Sequence, residues 1–166
     1  PVNIIKKYWV VIVLLISSLA IISALLAEYV FNILPCKMCL YQRYPYYILI
    51  IISFIYIILK KLPLTWYYWI CSLFFSIGLF FSVWHVGIEQ KILPGLPGCT
   101  FTINASQSLK DLKEQILKQN IATCDEVTWS FIGLSAATIN SLLLILLLLV
   151  NIIFLVKHKY EKEKQT

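Results

Sequence analysis

The stretch Leu34-Pro35-Cys36-Lys37-Met38-Cys39-Leu40-Tyr41-Gln42-Arg43 sets two cysteines and an arginine at the head of an apolar run that continues to Leu59. The uninterrupted apolar part, Tyr46 to Leu59, is shorter than the roughly 20 residues that cross a hydrocarbon core of about 30 Å. A spanning helix here must therefore begin upstream, near residue 38, and carry Arg43 in its first turns. Pro35 has no N–H to donate and suits the approach to a helix start, and Pro45 is tolerated in the first turns with a kink. Arg43 follows Cys39 by four residues and Cys36 by seven, which puts it on their side of the helix. A helix N-terminus and a nearby cation both favour a thiolate. An ionisable side chain at the edge of the apolar layer is costly unless solvated or paired. Arg43 is therefore either a functional group or a side chain that snorkels to the head groups. Cys-x-x-Cys by its spelling fits redox chemistry and metal binding equally.

Working outward, the chain of 166 residues is 60% hydrophobic and 13% charged, too apolar for a soluble domain of its length. The expected fold is a single-domain, all-α membrane protein. It is a four-transmembrane-helix bundle with spans at about 8–27, 38–59, 64–86 and 130–156 and external loops at about 28–37 and 87–129. Trp66, Tyr67, Tyr68 and Trp69 near one end of the third span and Trp84 near the other mark the two interfaces. The first apolar run is followed by no polar small-residue cleavage site, so it is read as a retained span. The long loop is broken by Pro94, Gly95, Pro97 and Gly98. It then shows Leu109, Leu112, Ile116 and Leu117 at helical spacing against Lys110, Lys113 and Lys118, which predicts a short amphipathic helix over 106–119.

The net charge of +6 reads as topology and not as a nucleic-acid footprint. Lys6, Lys7, Lys60, Lys61, Lys157, Lys159, Lys162 and Lys164 fall on one side of a four-span bundle. That side, with both termini, is expected to be cytoplasmic. Of five cysteines, Cys71 lies in an apolar run and reads as a packing residue. Cys36, Cys39, Cys99 and Cys124 fall in polar connections on the other side, where an oxidising compartment permits disulfides. Four cysteines allow three pairings.

Taken together these features resemble the bacterial disulfide bond formation protein B (DsbB) family, membrane oxidases linked to quinone. The resemblance covers nearly the whole chain. It rests on four spans, on Pro35-Cys36-x-x-Cys39-x-Tyr41-x-Arg43, on His85-Val86 and Gln90 leaving span three, on Cys99 and Cys124, and on Cys124-Asp125-Glu126 with Trp129 and Phe131-x-Gly133-Leu134. It implies a thiol:quinone oxidoreductase of the bacterial inner membrane. A DsbA-type periplasmic thiol oxidase would deliver electrons to a Cys99/Cys124 disulfide. Exchange would pass them to Cys36 and Cys39, and Cys39 would donate to ubiquinone or menaquinone. A strong soluble oxidant of that type needs an acceptor of higher potential. The resemblance further implies that Arg43 stabilises the thiolate and the charge on the quinone, and that His85 or Gln90 donates it a hydrogen bond.

Departures from the family pattern bear on this chain alone. Lys37-Met38 stands where an apolar dipeptide is common, and Lys37 is expected to depress the Cys36 pKa. Gln42 stands where many relatives carry an acid. A DsbI-like branch with a dedicated partner fits the same residues. Two other readings remain: four thiolates around zinc, and a purely structural staple. The spacing of Cys99 and Cys124, without a second Cys-x-x-Cys, argues against zinc, so no metal is expected. A staple accounts for the loop cysteines but not for Cys-x-x-Cys beside Arg43.

Overall fold

In the computed structural model the residues described are 2–59, 63–97, 99, 122–127 and 129–164. Helix α1 spans Val2–Tyr29, α2 Lys37–Leu59, α3 Leu64–Glu89 and α4 Ala136–Glu163. A small antiparallel hairpin of β1, Ser130–Phe131, and β2, Leu134–Ser135, precedes α4. Four segments, Tyr8–Tyr29, Lys37–Leu59, Leu64–Glu89 and Ala136–Glu163, are long and apolar enough to cross a membrane. The outer faces of these helices expose Leu15, Leu19, Ile51, Phe54, Leu73, Phe80, Leu146 and Ile153. In water such a surface would be a liability; in lipid, helices that satisfy their own backbone groups can present it freely.

The helix ends explain how the chain returns to one place. At the end of α1, Val30 and Phe31 both donate to the Leu26 carbonyl, and Asn32 adopts φ 52°. Such a left-handed residue turns a chain off a helix. Helix α3 ends in a Schellman motif: Ile92 donates to the Gly87 carbonyl, Lys91 donates to the Ile88 carbonyl, and Lys91 takes φ 59°. Gly87 leaves room for this, because a Cβ there would lie 2.6 Å from Leu93 Cδ1.

Helix α1 packs on α2, α2 on α3, and α3 most extensively on α4. Gly78 permits the close approach of three helices: a Cβ there would sit 3.3 Å from Leu144 on α4 and 3.5 Å from Pro45 on α2. Away from the cysteines, Asn151 is fully buried and fully used. It accepts from Trp9 Nε1 at 2.8 Å and donates to the Tyr68 carbonyl at 2.8 Å and Ser72 Oγ at 2.9 Å, tying α1, α3 and α4 together. Cys71 is a free thiol inside the apolar core.

Several expected boundaries shift, the end of the fourth helix from 156 to Glu163 among them. The third helix continues past 86 to Glu89 before its Schellman turn. The fourth begins at Ala136, not 130, because Ile132 at φ 53° and Gly133 at φ 77° form the two positive-φ centres of a tight hairpin turn. Ser135 then caps α4 by accepting from the Thr138 N–H at 3.2 Å. The amphipathic helix expected over 106–119 and the turn carrying Lys60 and Lys61 lie outside the described residues.

Candidate functional site

Cys36 stands immediately before α2 and uses its sulfur as a cap: the Cys39 N–H donates to Cys36 Sγ at 3.2 Å, as it would to a serine oxygen. One turn in, Cys39 brings its own Sγ to 2.7 Å from Cys36 Sγ. From there a disulfide bond of about 2.05 Å forms with little movement. The neighbouring Cys39 sulfur, followed by burial, pushes the Cys36 thiol well above its ordinary pKa. This corrects the expectation for Lys37. Its Nζ reaches away to the Pro97 carbonyl at 2.9 Å, so the cation fastens the long connection and does not acidify Cys36.

That connection returns over the head of α2. Trp84 Nε1 donates to the Pro94 carbonyl at 3.2 Å, and Cys99 donates to the Leu96 carbonyl at 2.8 Å. Cys124 donates through its N–H to the Cys99 carbonyl at 2.6 Å, and Ala122 forms a parallel bridge with Cys36. Cys99 and Cys124 are joined in a disulfide with Cα atoms 4.9 Å apart. Its two cysteines, Cys36, Met38 and Ile88 form one buried cluster, with Cys39, Leu96 and Trp84 against it. Of the three pairings open to four cysteines, this one leaves Cys36 and Cys39 as free thiols. Both cysteine pairs thus share a single apolar pocket.

His85, one of two histidines in the chain, lies in that pocket and is only 4% exposed, not at an interface. Its Nε2 is 3.5 Å from Cys36 Sγ and 3.9 Å from Glu89 Oε1. Its Nδ1 meets Gln42 Nε2 at 2.9 Å. An amide nitrogen only donates, so Nδ1 accepts and the imidazole proton sits on Nε2, facing the thiol. Gln42 is held that way round because its Oε1 accepts from Asn140 Nδ2 at 2.8 Å. Asn140 Oδ1 in turn accepts from the Tyr46 hydroxyl at 2.6 Å. This chain of amides runs from α2 to α4 and fixes the histidine tautomer.

Arg43 pairs with Glu28 on α1, Nη1 to Oε2 at 2.6 Å, and reaches the Ala24 carbonyl at 3.5 Å. The side chains are 13% and 22% exposed, so Arg43 is paired inside the bundle and does not snorkel. Cys39, Gln42, Arg43 and His85 share a wall of a cavity of about 550 Å³ between α1, α2 and α4; its remaining lining is mainly apolar and includes Trp129.

Gln90 is not brought into this group. It is the exposed C-cap of α3, its N–H spent on the Val86 carbonyl, and it does not line the cavity. The Schellman turn directs it outward. The amide beside His85 is Gln42, which stands three residues after Cys39 and so on the same helix face. Glu28, Glu89 and Asn140 are polar neighbours of this site that the sequence motifs do not name. Asn140 was the most findable: a polar residue within an apolar span is costly and so marks a site. Glu89 accepts from Ser135 Oγ at 2.5 Å, which ties the end of α3 to the start of α4.

The family described as Disulfide bond formation protein DsbB matches residues 6–154. An uncharacterized protein, RP370, of Rickettsia prowazekii (strain Madrid E) is 31% identical over 140 residues, covering 83% of this chain and 81% of that protein. No solved structure matches the chain. The family match runs from the first membrane helix through most of the last and takes in all four cysteines of the shared pocket. The chain therefore belongs to the DsbB family, multi-pass membrane proteins of disulfide bond formation.

Proposed function

We propose that this protein is a thiol:quinone oxidoreductase that re-oxidises a DsbA-type periplasmic dithiol protein. One observation carries the reading. A Cys-x-x-Cys pair is buried against a loop disulfide on one side, and its Cys39 opens on the other into an apolar cavity with polar groups along one wall.

A thiolate of the soluble partner attacks Cys99, and Cys124 leaves as a thiolate. The partner's second thiol then resolves the mixed disulfide. Two electrons have moved: the partner is a disulfide and the loop pair is reduced. A loop thiolate attacks Cys36 of an oxidised Cys36–Cys39 pair, because Cys36 is the member bridged to Ala122, and Cys39 leaves as the thiolate beside the cavity. Closing the loop disulfide leaves Cys36 and Cys39 reduced. A quinone accepts two electrons and two protons when the Cys36–Cys39 disulfide forms again. Arg43 and His85 Nε2–H supply positive charge and a donor where negative charge develops, in a setting that excludes water. The cavity volume falls within the range of small-molecule sites, about 300–1,000 Å³.

Cys99 and Cys124 are fully buried, so attack by a soluble thiol requires their segment to lift. Lysines beyond the end of the fourth apolar run support cytoplasmic termini in the bacterial inner membrane, with the four cysteines periplasmic. The test is quinone reduction by purified protein supplied with a reduced DsbA-type dithiol. Wild type should turn over, and Cys39→Ser should fall to background while Cys99 still forms a trapped mixed disulfide. Full turnover by Cys39→Ser would refute the assignment of the donor.

A further inference from the structure

We infer that, in its reduced state, Cys36, Cys39 and His85 form a binding site for a soft divalent cation of the zinc type. Among the described residues these three form a group whose ligand atoms, two sulfurs and a ring nitrogen, all lie within 4.8 Å of one another. The sequence spacing argues only against four thiolates drawn from both cysteine pairs. The structure assembles a different set, two cysteines and a histidine that lies 49 positions from Cys36.

The distances fit. A tetrahedral ion with bonds of about 2.3 Å to sulfur and about 2.0–2.1 Å to nitrogen holds a sulfur and a nitrogen about 3.5 Å apart and two sulfurs about 3.8 Å apart. Cys36 Sγ and His85 Nε2 are already 3.5 Å apart, and only Cys39 Sγ, now at 2.7 Å from Cys36 Sγ, must swing outward by about 1 Å. Charge fits as well. Two thiolates and a dication sum to zero, which a buried apolar pocket tolerates better than a lone thiolate. The cavity that touches Cys39 and His85 is the way in.

Ligation releases the two thiol protons and moves no electrons. It also requires the proton of His85 to sit on Nδ1, freeing Nε2 for the ion. Gln42 and Asn140 then turn their amides together, so that Gln42 Oε1 accepts from Nδ1–H, Asn140 Oδ1 accepts from Gln42 Nε2 and the Tyr46 hydroxyl accepts from Asn140 Nδ2, the first of these being the hydrogen bond that orients a metal-bound histidine. Closing the Cys36–Cys39 disulfide consumes both sulfur ligands, so cation and oxidation exclude each other. The site rests on geometry alone. Its consequence, zinc inhibition of turnover, rests on the function proposed above.

Cobalt(II) is the probe, added to protein carrying Cys99→Ser and Cys124→Ser so that the loop thiols contribute nothing. The reduced protein should bind one equivalent with the thiolate charge-transfer and ligand-field bands of a tetrahedral site, and zinc should displace it. The oxidised protein should show no bands. His85→Ala should weaken binding by about tenfold or more, and Gln42→Glu, a permanent acceptor for Nδ1–H, should tighten it by a comparable factor. Absence of bands in the reduced protein, bands that survive Cys36→Ser, or indifference to His85→Ala would each overturn the site. Wild type gives a second reading that needs no folded variant: zinc should protect Cys39, and not Cys99 and Cys124, from alkylation after reduction. Cobalt bands in a protein that never reduces quinone would support the site and sink the oxidase; turnover without bands would do the reverse.

Discussion

The ion pair between Arg43 and Glu28 joins the electrostatics of the cavity to the stability of the bundle, and a double-mutant cycle separates the two. Two unit charges about 4 Å apart interact by about 4 kcal/mol at an effective dielectric of about 20. The pair is 2.6 Å apart with side chains 13% and 22% exposed, so solvent screens part of this. Removing the carboxylate by Glu28→Leu leaves the guanidinium in an apolar bundle with, among the described residues, only the Ala24 carbonyl, at 3.5 Å. An unpaired arginine at the centre of a spanning helix costs about 2.5–3.5 kcal/mol on an insertion scale, and less near the boundary. Glu28→Leu is therefore expected to destabilise by about 2–3 kcal/mol. Arg43→Met should cost a similar amount, and the double variant no more than either single, giving a coupling of at least about 2–3 kcal/mol. The assay is reversible unfolding in mixed micelles, followed by tryptophan fluorescence. Activity should part from stability: Glu28→Leu retains quinone reduction per folded molecule, whereas Arg43→Met loses it and the double variant does not recover it. Additive destabilisation within about 0.5 kcal/mol would show the pair uncoupled, and recovery of activity in the double variant would remove Arg43 from the chemistry.

Other perturbations probe other links. The Cys36 thiol is held above its ordinary pKa, so in reduced native protein its alkylation should stay slow through about pH 8.5, where an unfolded thiol becomes reactive, and mass mapping would show this. The sign follows for stability: the protonated Cys36 contributes fully below the unfolded thiol pKa, and that contribution is lost as pH rises towards the folded value. Gly87→Ala places a Cβ 2.6 Å from Leu93 Cδ1, should cost about 1–3 kcal/mol, and should speed reduction of Cys99–Cys124 by a soluble thiol as the returning segment loosens. Adding Leu93→Ala should relieve the clash. Asn151→Ala orphans the Trp9 N–H and should cost about 1–3 kcal/mol in unfolding while leaving turnover per folded molecule unchanged.

Much of the architecture was legible because membrane spans are written in continuous composition. Four apolar runs and the thiol pair at the head of the second are local features. The start of α4 was not, because Ile132 adopts φ 53° in a two-residue hairpin turn, a conformation unfavourable for a β-branched residue, and Gly133 alone in the turn hints at it. The environment of the thiols was less legible still, since it is made by long-range contacts. Asn140 and Gln42 are 98 positions apart, and Lys37 finds its partner at Pro97. Sequence proximity placed Lys37 beside Cys36, and the family resemblance offered Gln90 as the alternative to His85. Helix geometry turned Lys37 towards the loop and Gln90 outward, and gave the histidine Gln42 instead.

The central claim is that electrons leave Cys36 and Cys39 for a carrier in the cavity. It is tested most directly by a single anaerobic turnover of reduced protein carrying Cys99→Ser and Cys124→Ser, mixed with one equivalent of a soluble quinone analogue. The account predicts one equivalent of quinol and, by mass mapping, a Cys36–Cys39 disulfide formed in step with it. Quinone left oxidised beside two free thiols in the folded protein would contradict it.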